Sequence, residues 1–151
     1  MKYLRVWILL LLIGLAGTVT AWAGETIAVV IGADHPLTSL SLDAVKLIYK
    51  GKSPLDGQGR RWIPLNLPAT DPLRRAFSLA LFQALPEEME EYWNIQYFHG
   101  IAPPEVLASE EAVLRFIAMT PGAIGYLRES RADERVKTLL RLPVPPEQLP
   151  K

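Results

Sequence analysis

Four side chains grouped at one helix start are the residues best placed to do chemistry. Thr70-Asp71-Pro72-Leu73-Arg74-Arg75 sets a hydroxyl, a carboxylate and two guanidiniums around a proline. Proline suits the first helical position, where its φ fits and its missing N–H removes no hydrogen bond. The first turn of a helix presents unpaired backbone N–H groups and the positive end of the peptide dipole, which together favour an anion. The same dipole disfavours cations. Two arginines in that turn therefore break a local rule, and such breaks tend to fall at functional positions. Two guanidinium forks beside amide donors could hold a phosphate, a sulfate or a carboxylate in bidentate fashion. The candidate ligand-binding set is Thr70, Asp71, Arg74 and Arg75. The segment also reads as a plain helix capped by Asp71 and carrying two surface arginines.

Other reactive chemistry is scarce. The chain has no cysteine and only two histidines, His35 and His99, so it has no thiol nucleophile and too few ligands of the usual kind for zinc. It lacks a G-x-S-x-G elbow and an H-E-x-x-H pair. The acidic run Glu87–Glu91 reads as a solvated helix face with N-terminal charge. No enzyme activity, no cofactor and no metal are expected.

The elements that must position the candidate set follow from periodicity and punctuation. Thr26–Ile31 is a β-branched apolar run closed by Gly32, a strand buried on both faces. Ser39 or Ser41 caps a helix over Leu42–Lys50, with Gly51 beyond its end. Lys52–Arg60, with Pro54, Asp56-Gly57 and Gly59, is a turn-rich loop. Arg61–Leu67 is a second strand, in which Pro64 suggests an edge or a bulge. From Asp71-Pro72 a helix runs with Leu73, Ala76, Phe77, Ala80, Leu81 and Ala84 on its core stripe. Pro86 opens a third helix that ends near Phe98–Gly100, and Pro103-Pro104 breaks the chain. Ser109 caps a fourth helix with Val113, Leu114 and Ile117 inward, stopping before Pro121-Gly122. Ala123–Leu127 and Val136–Leu142 complete the strands. This alternation predicts an α/β fold with a mixed, mostly parallel sheet and helices on both faces.

The N-terminus reads as an export signal. Lys2 and Arg5 precede an apolar stretch over Val6–Val19, and Ala21-Trp22-Ala23 places small residues for cleavage before Gly24. The apolar stretch is shorter than the roughly 20 residues of a membrane span, and the missing cysteine excludes a lipid anchor at the cleavage point. The expected organisation is a signal peptide over 1–23, an α/β domain over 24–142 and a proline-rich, loosely held tail over 143–151. Loss of Lys2 and Arg5 leaves 14 basic against 16 acidic residues, a formal charge of −2. That balance gives no footprint for nucleic acid. Without disulfides, an apolar core must hold the exported domain together.

Several short motifs then line up in order and spacing. Ser39-Leu40-Ser41-Leu42, Ile48-Tyr49-Lys50-Gly51-Lys52, Arg74-x-x-Phe77, Tyr92-Trp93 and Pro121-Gly122-Ala123-Ile124-Gly125-Tyr126 together resemble the periplasmic phosphate-binding proteins of ABC transporters. The likeness covers about Glu25 to Leu127. It implies one lobe of a two-lobed, hinge-closing receptor that holds its ligand between the lobes. That family carries Ser-Gly-Thr directly before its Arg-x-x-Phe, supplying hydroxyl and amide donors to phosphate. Here Asp71-Pro72-Leu73 stands in those positions. Both hydroxyls are gone, Pro72 lacks an N–H, and a carboxylate faces the place of a dianion; Thr70 restores one hydroxyl.

Each motif also has a plain reading from its residues alone. Gly122 and Gly125 would permit a tight turn and close helix–sheet approach. Tyr92 and Trp93, beside Tyr97 and Phe98, would be core aromatics, and Lys50 and Lys52 a solvated helix end. The functional expectation is an exported solute-binding-like lobe that takes a small, phosphate-like oxyanion weakly. The alternative is a periplasmic interaction module that docks a membrane sensor, a transporter subunit or a second copy of itself. Contact with the membrane is expected only through the transient signal peptide.

Overall fold

A computed structural model describes residues 24–145, so the expected leader and residues 146–151 of the expected tail lie outside the described residues. Strand β1 (Thr26–Gly32) is flanked by a strand on each side, and Ile27–Ile31 are wholly buried. It pairs antiparallel with β4 (Ala123–Arg128) and with β5 (Val136–Pro143). Strand β2 (Ile63–Asn66) pairs parallel with β4 and with the two-residue β3 (Glu105–Val106). The five-stranded order is β3-β2-β4-β1-β5.

The sheet is mixed, as expected, but its balance corrects the expectation of mostly parallel strands. Two of the four pairings are antiparallel, and those are the longer ladders. A central antiparallel strand covered on both faces buries the same unbroken apolar run as a parallel one, so Thr26–Ile31 could not distinguish them.

Helices α1 (Leu42–Tyr49) and α2 (Pro72–Phe82) lie over the face that carries Tyr126, where Tyr49 and Phe77 meet its ring. Helix α4 (Glu110–Met119) covers the other face. A Cβ added at Gly125 would stand 2.7 Å from Val113 Cγ1 and 3.2 Å from Ile117 Cδ1, so this glycine sets how closely α4 approaches. Helices on both faces were expected. Helix α3 (Glu90–Phe98) follows a 3-10 turn over Pro86–Met89. Ser41 and Ser109 cap α1 and α4, each accepting an N–H three residues on at 3.1 Å.

Several details differ from what the sequence predicts, among them the second strand, which forms over Ile63–Asn66 rather than Arg61–Leu67. Helix α2 stops at Phe82 because Gln83 adopts the left-handed conformation at φ 56°, leaving Ala84 outside. Pro86 starts a 3-10 turn rather than the helix itself. Beyond the Pro103-Pro104 break the chain adds β3, which reaches only Leu65 and Asn66, so Pro64 stands on an open stretch of edge. At the far end Pro143 closes β5, and Val144 is buried and donates its N–H to the Glu25 carbonyl at 2.9 Å. The β1–β5 ladder slips between Val29 and Val30, bulging Leu139, whose carbonyl accepts the Leu40 N–H at 3.1 Å.

Candidate functional site

The α2 start forms as its residues require. Asp71 is the N-cap, with backbone at φ −68°, ψ 129°, and its carboxylate accepts the Leu73 N–H at 2.8 Å. Thr70 beside it is exposed. Arg75 reaches outward and makes two parallel bonds to the Glu87 carboxylate, both 3.0 Å. Those bonds raise the Arg75 pKa and lower that of Glu87. Arg74 turns the other way. With Tyr49, Asn66, Phe77 and Trp93 it lines a cavity of about 10 Å³, the space of a single water and far too small for phosphate. Burial lowers the Arg74 pKa, partly offset by the nearby tyrosine hydroxyls, and its Nη1 has no hydrogen-bond partner among the described residues. The four candidates are thus neighbours in sequence that diverge in space: one exposed, one capping, one paired to a carboxylate, one directed into the body. Clefts of about 470, 520 and 660 Å³ open elsewhere on the molecule, and none is lined by Thr70, Asp71, Arg74 or Arg75.

What does converge behind α2 is an aromatic and amide cluster. Phe77 stacks on Tyr126 with centroids 3.7 Å apart, and Tyr49 meets Phe77 edge-on at 5.0 Å. The Tyr126 hydroxyl accepts the Leu67 N–H at 3.1 Å and donates to Asn66 Oδ1 at 3.2 Å. Tyr49 donates to the Leu65 carbonyl at 2.9 Å. Burial pushes both phenols well above their ordinary pKa, so they act as neutral donors. Three of the short motifs, those holding Tyr49, Phe77 and Tyr126, therefore meet at one place and fix the end of β2 against the start of α2.

The remaining motif residues are structural in position. Gly122 has φ 89°, and a Cβ there would lie 2.5 Å from the Arg61 carbonyl, which only glycine accommodates. Tyr92 and Trp93 are half-buried and meet edge-on at 5.1 Å, and the Tyr92 hydroxyl donates to the Lys50 carbonyl at 2.8 Å. Lys50, expected in solvent, instead sets its ammonium over the Phe82 and Tyr92 rings at 5.7 and 5.6 Å. Lys52 donates to Gln96 Oε1 at 3.3 Å.

A second charged cluster escaped the sequence reading. Asp56, in the loop after α1, is buried; its Oδ1 accepts the Gln58 and Arg60 N–H groups at 2.8 Å each. Its Oδ2 lies 3.1 Å from Arg60 Nε and 3.2 Å from His35 Nε2. His35 Nδ1 accepts the Leu37 N–H at 3.2 Å, which assigns the proton to Nε2 and directs it at Asp56. The imidazole stacks on Trp62 at 5.7 Å. Burial acts to raise the Asp56 pKa, but the four hydrogen bonds outweigh it and hold it at about 2. The Asp56-Gly57 pair signalled a turn whose carboxylate bonds its own loop. Nothing local signalled the contact to His35, 21 residues away.

With the geometry in place, the class of architecture is clear: this chain has the fold of the substrate-binding proteins of phosphate transporters over 78% of its length. It is similar to a candidate phosphate ABC transporter substrate-binding protein with bound phosphate from Clostridium perfringens, at 19% identity and a TM-score of 0.63, spanning 45% of that protein. It is similar also to an ABC-type phosphate transport receptor from Vibrio cholerae, at 18% identity, a TM-score of 0.63 and 46% of that chain. PstS from Borrelia burgdorferi gives 15% identity, a TM-score of 0.62 and 47%. These neighbours are binding proteins, and this chain spans less than half the length of each. No protein-family profile and no curated sequence matches it.

Proposed function

We propose that this chain is an exported, single-lobe solute-binding-like protein, related to the phosphate-binding receptors, that takes a small oxyanion weakly and catalyses no reaction. The observation that carries this reading is the fold shared with three phosphate-transport proteins, one of them holding phosphate. The anion would sit at the outer side of the α2 start, against the Thr70 hydroxyl, the Arg74 N–H, which Asp71 leaves free while it holds those of Leu73 and Arg75, and the Arg75 guanidinium drawn from Glu87. Affinity is low on this reading because one lobe covers one side of a ligand, whereas good small-molecule sites bury most of it. The Asp71 carboxylate opposes a dianion as well. Calorimetry with phosphate, sulfate and molybdate tests it. Millimolar-range heat that weakens in Thr70→Val and Arg75→Ala supports it; no heat for any of the three overturns it.

Export to the periplasm and cleavage after Ala23 belong to the same proposal. The mass of the protein recovered from an envelope extract tests them, a chain beginning at Gly24 being the expected result and a chain retaining Met1 the opposing one.

The divergence of Thr70, Asp71, Arg74 and Arg75 favours a second reading, an interaction module that docks another protein without ligand. It predicts silence in the calorimeter together with a definite docking surface.

A further inference from the structure

Helix α3 is attached to the body along one stripe and leaves another uncovered. Tyr92, Trp93 and Gln96 hold it through the Lys50 carbonyl, the Tyr92–Trp93 edge contact and the Lys52 ammonium. At about 100° per residue, Glu91, Asn94, Ile95 and Phe98 fall on the opposite side with i, i+3, i+4, i+7 spacing. Ile95 is 50% exposed, Tyr97 next to the stripe 70% and Phe98 87%, while Glu90, Glu91 and Asn94 are exposed too. A nine-residue helix is too short to persist alone in water, so its attached stripe is what stabilises it, and Phe98, 87% exposed, adds little to the fold. Large aromatics gathered with an aliphatic residue on an exposed stripe have the composition of interface anchors.

Charge selects the occupant. Residues 86–98 contain Glu87, Glu88, Glu90 and Glu91 and neither lysine nor arginine. Glu87 is held by Arg75, and Glu88 accepts the Leu85 N–H at 2.6 Å, which leaves Glu90 and Glu91 to face a partner. A second copy meeting it two-fold, α3 against α3, would bring the same carboxylates to the contact and be repelled. A helix with apolar residues at i, i+3 or i+4 and i+7, and lysines or arginines flanking them, matches both halves of the stripe. Resting on the interaction reading above, we propose that α3 docks a basic amphipathic helix of another protein, with Ile95 and Phe98 as the apolar anchors and Glu90 and Glu91 as the counter-charges. A single helix face makes a small contact, suited to a transient complex.

The test titrates the isotope-labelled protein with two synthetic amphipathic helical peptides sharing one leucine stripe, flanked by lysines in one and by glutamates in the other. The lysine peptide is expected to shift amide signals across residues 90–98, and the glutamate peptide to bind at least tenfold more weakly. Phe98→Ala, whose side chain is too exposed to support the fold, should keep the wild-type circular dichroism and weaken the lysine peptide at least tenfold. Glu91→Lys should do the same. Silence with both peptides, or binding that Phe98→Ala leaves unchanged, overturns the proposal. Shifts elsewhere on the surface overturn docking on α3 while leaving the interaction reading standing. Self-association by light scattering, or flotation with phosphatidylglycerol vesicles, that Phe98→Ala abolishes would also overturn it, reassigning the stripe to a second copy or to the membrane.

Discussion

At the start of α2, Arg75 meets Glu87 in water; in the loop after α1, Arg60 and His35 meet Asp56 with that carboxylate almost wholly enclosed, its side chain 1% exposed. The ingredients are nearly the same and their consequences differ. Both partners of the first pair are hydrated when apart, so holding them together adds little, and salt screens what remains. In the second cluster the carboxylate has left water, and its backbone and side-chain donors make good that loss. The loop is thereby tied to the end of β1 through His35. A pair in water can be opened by a ligand, whereas a buried one cannot be opened without loosening the fold. This difference suits the α2 start to binding and the Asp56 cluster to architecture.

The largest expected effect is at the buried site. Asp56→Ala leaves His35 Nε2 and the Gln58 and Arg60 backbone N–H groups without their acceptor and should cost about 2–4 kcal/mol of stability in urea unfolding. A loss comparable to that of Arg75→Ala would erase the contrast. Acid sharpens it further. The folded-state pKa of Asp56 is depressed, to about 2, so its contribution is present above the unfolded value and is lost as pH falls from about 4 toward 2. Allowing for the half-exposed Arg60 partner, that loss is on the order of 1–2 kcal/mol. Asp56→Asn should flatten that segment of the stability profile, and a profile identical to wild type would contradict the assignment. Tyr126→Phe removes the acceptor of the Leu67 N–H and the donor to Asn66, with an expected cost of about 1–2 kcal/mol by the same measurement. The smallest effect is Arg75→Ala, which should leave the urea midpoint unchanged within error and insensitive to salt.

What could be read from the sequence was local. Ser41, Asp71 and Ser109 cap helices within three residues of themselves, and Gly51 closes α1 with φ 69°, because such roles depend only on near neighbours. The unbroken apolar run of β1 announced a central strand but not the direction of its partners. Around the candidate site, Asp71 was legible as a cap. Arg74 was not legible as an inward residue, because its direction depends on Tyr49 and Tyr126 arriving from distant elements. Glu87 could not be matched to Arg75 for a similar reason, since the fold of the Gln83–Pro86 connection decides that approach. The Asp56–His35 contact joins two segments that each look like an ordinary loop.

The slipped register of β5 bears on how the protein behaves when copies crowd. An outermost strand with a regular row of open amides is a template for cross-β stacking. Here the bulge at Leu139 breaks that row, the Leu40 N–H already occupies the Leu139 carbonyl, and charged side chains line the strand, Lys137 bonded to the His35 carbonyl and Arg141 paired with Glu129. The opposite edge, β3, is only two residues long. Among the described residues, neither border of the sheet offers a long regular run of open amides, so neither edge favours the stacking of copies into fibrils.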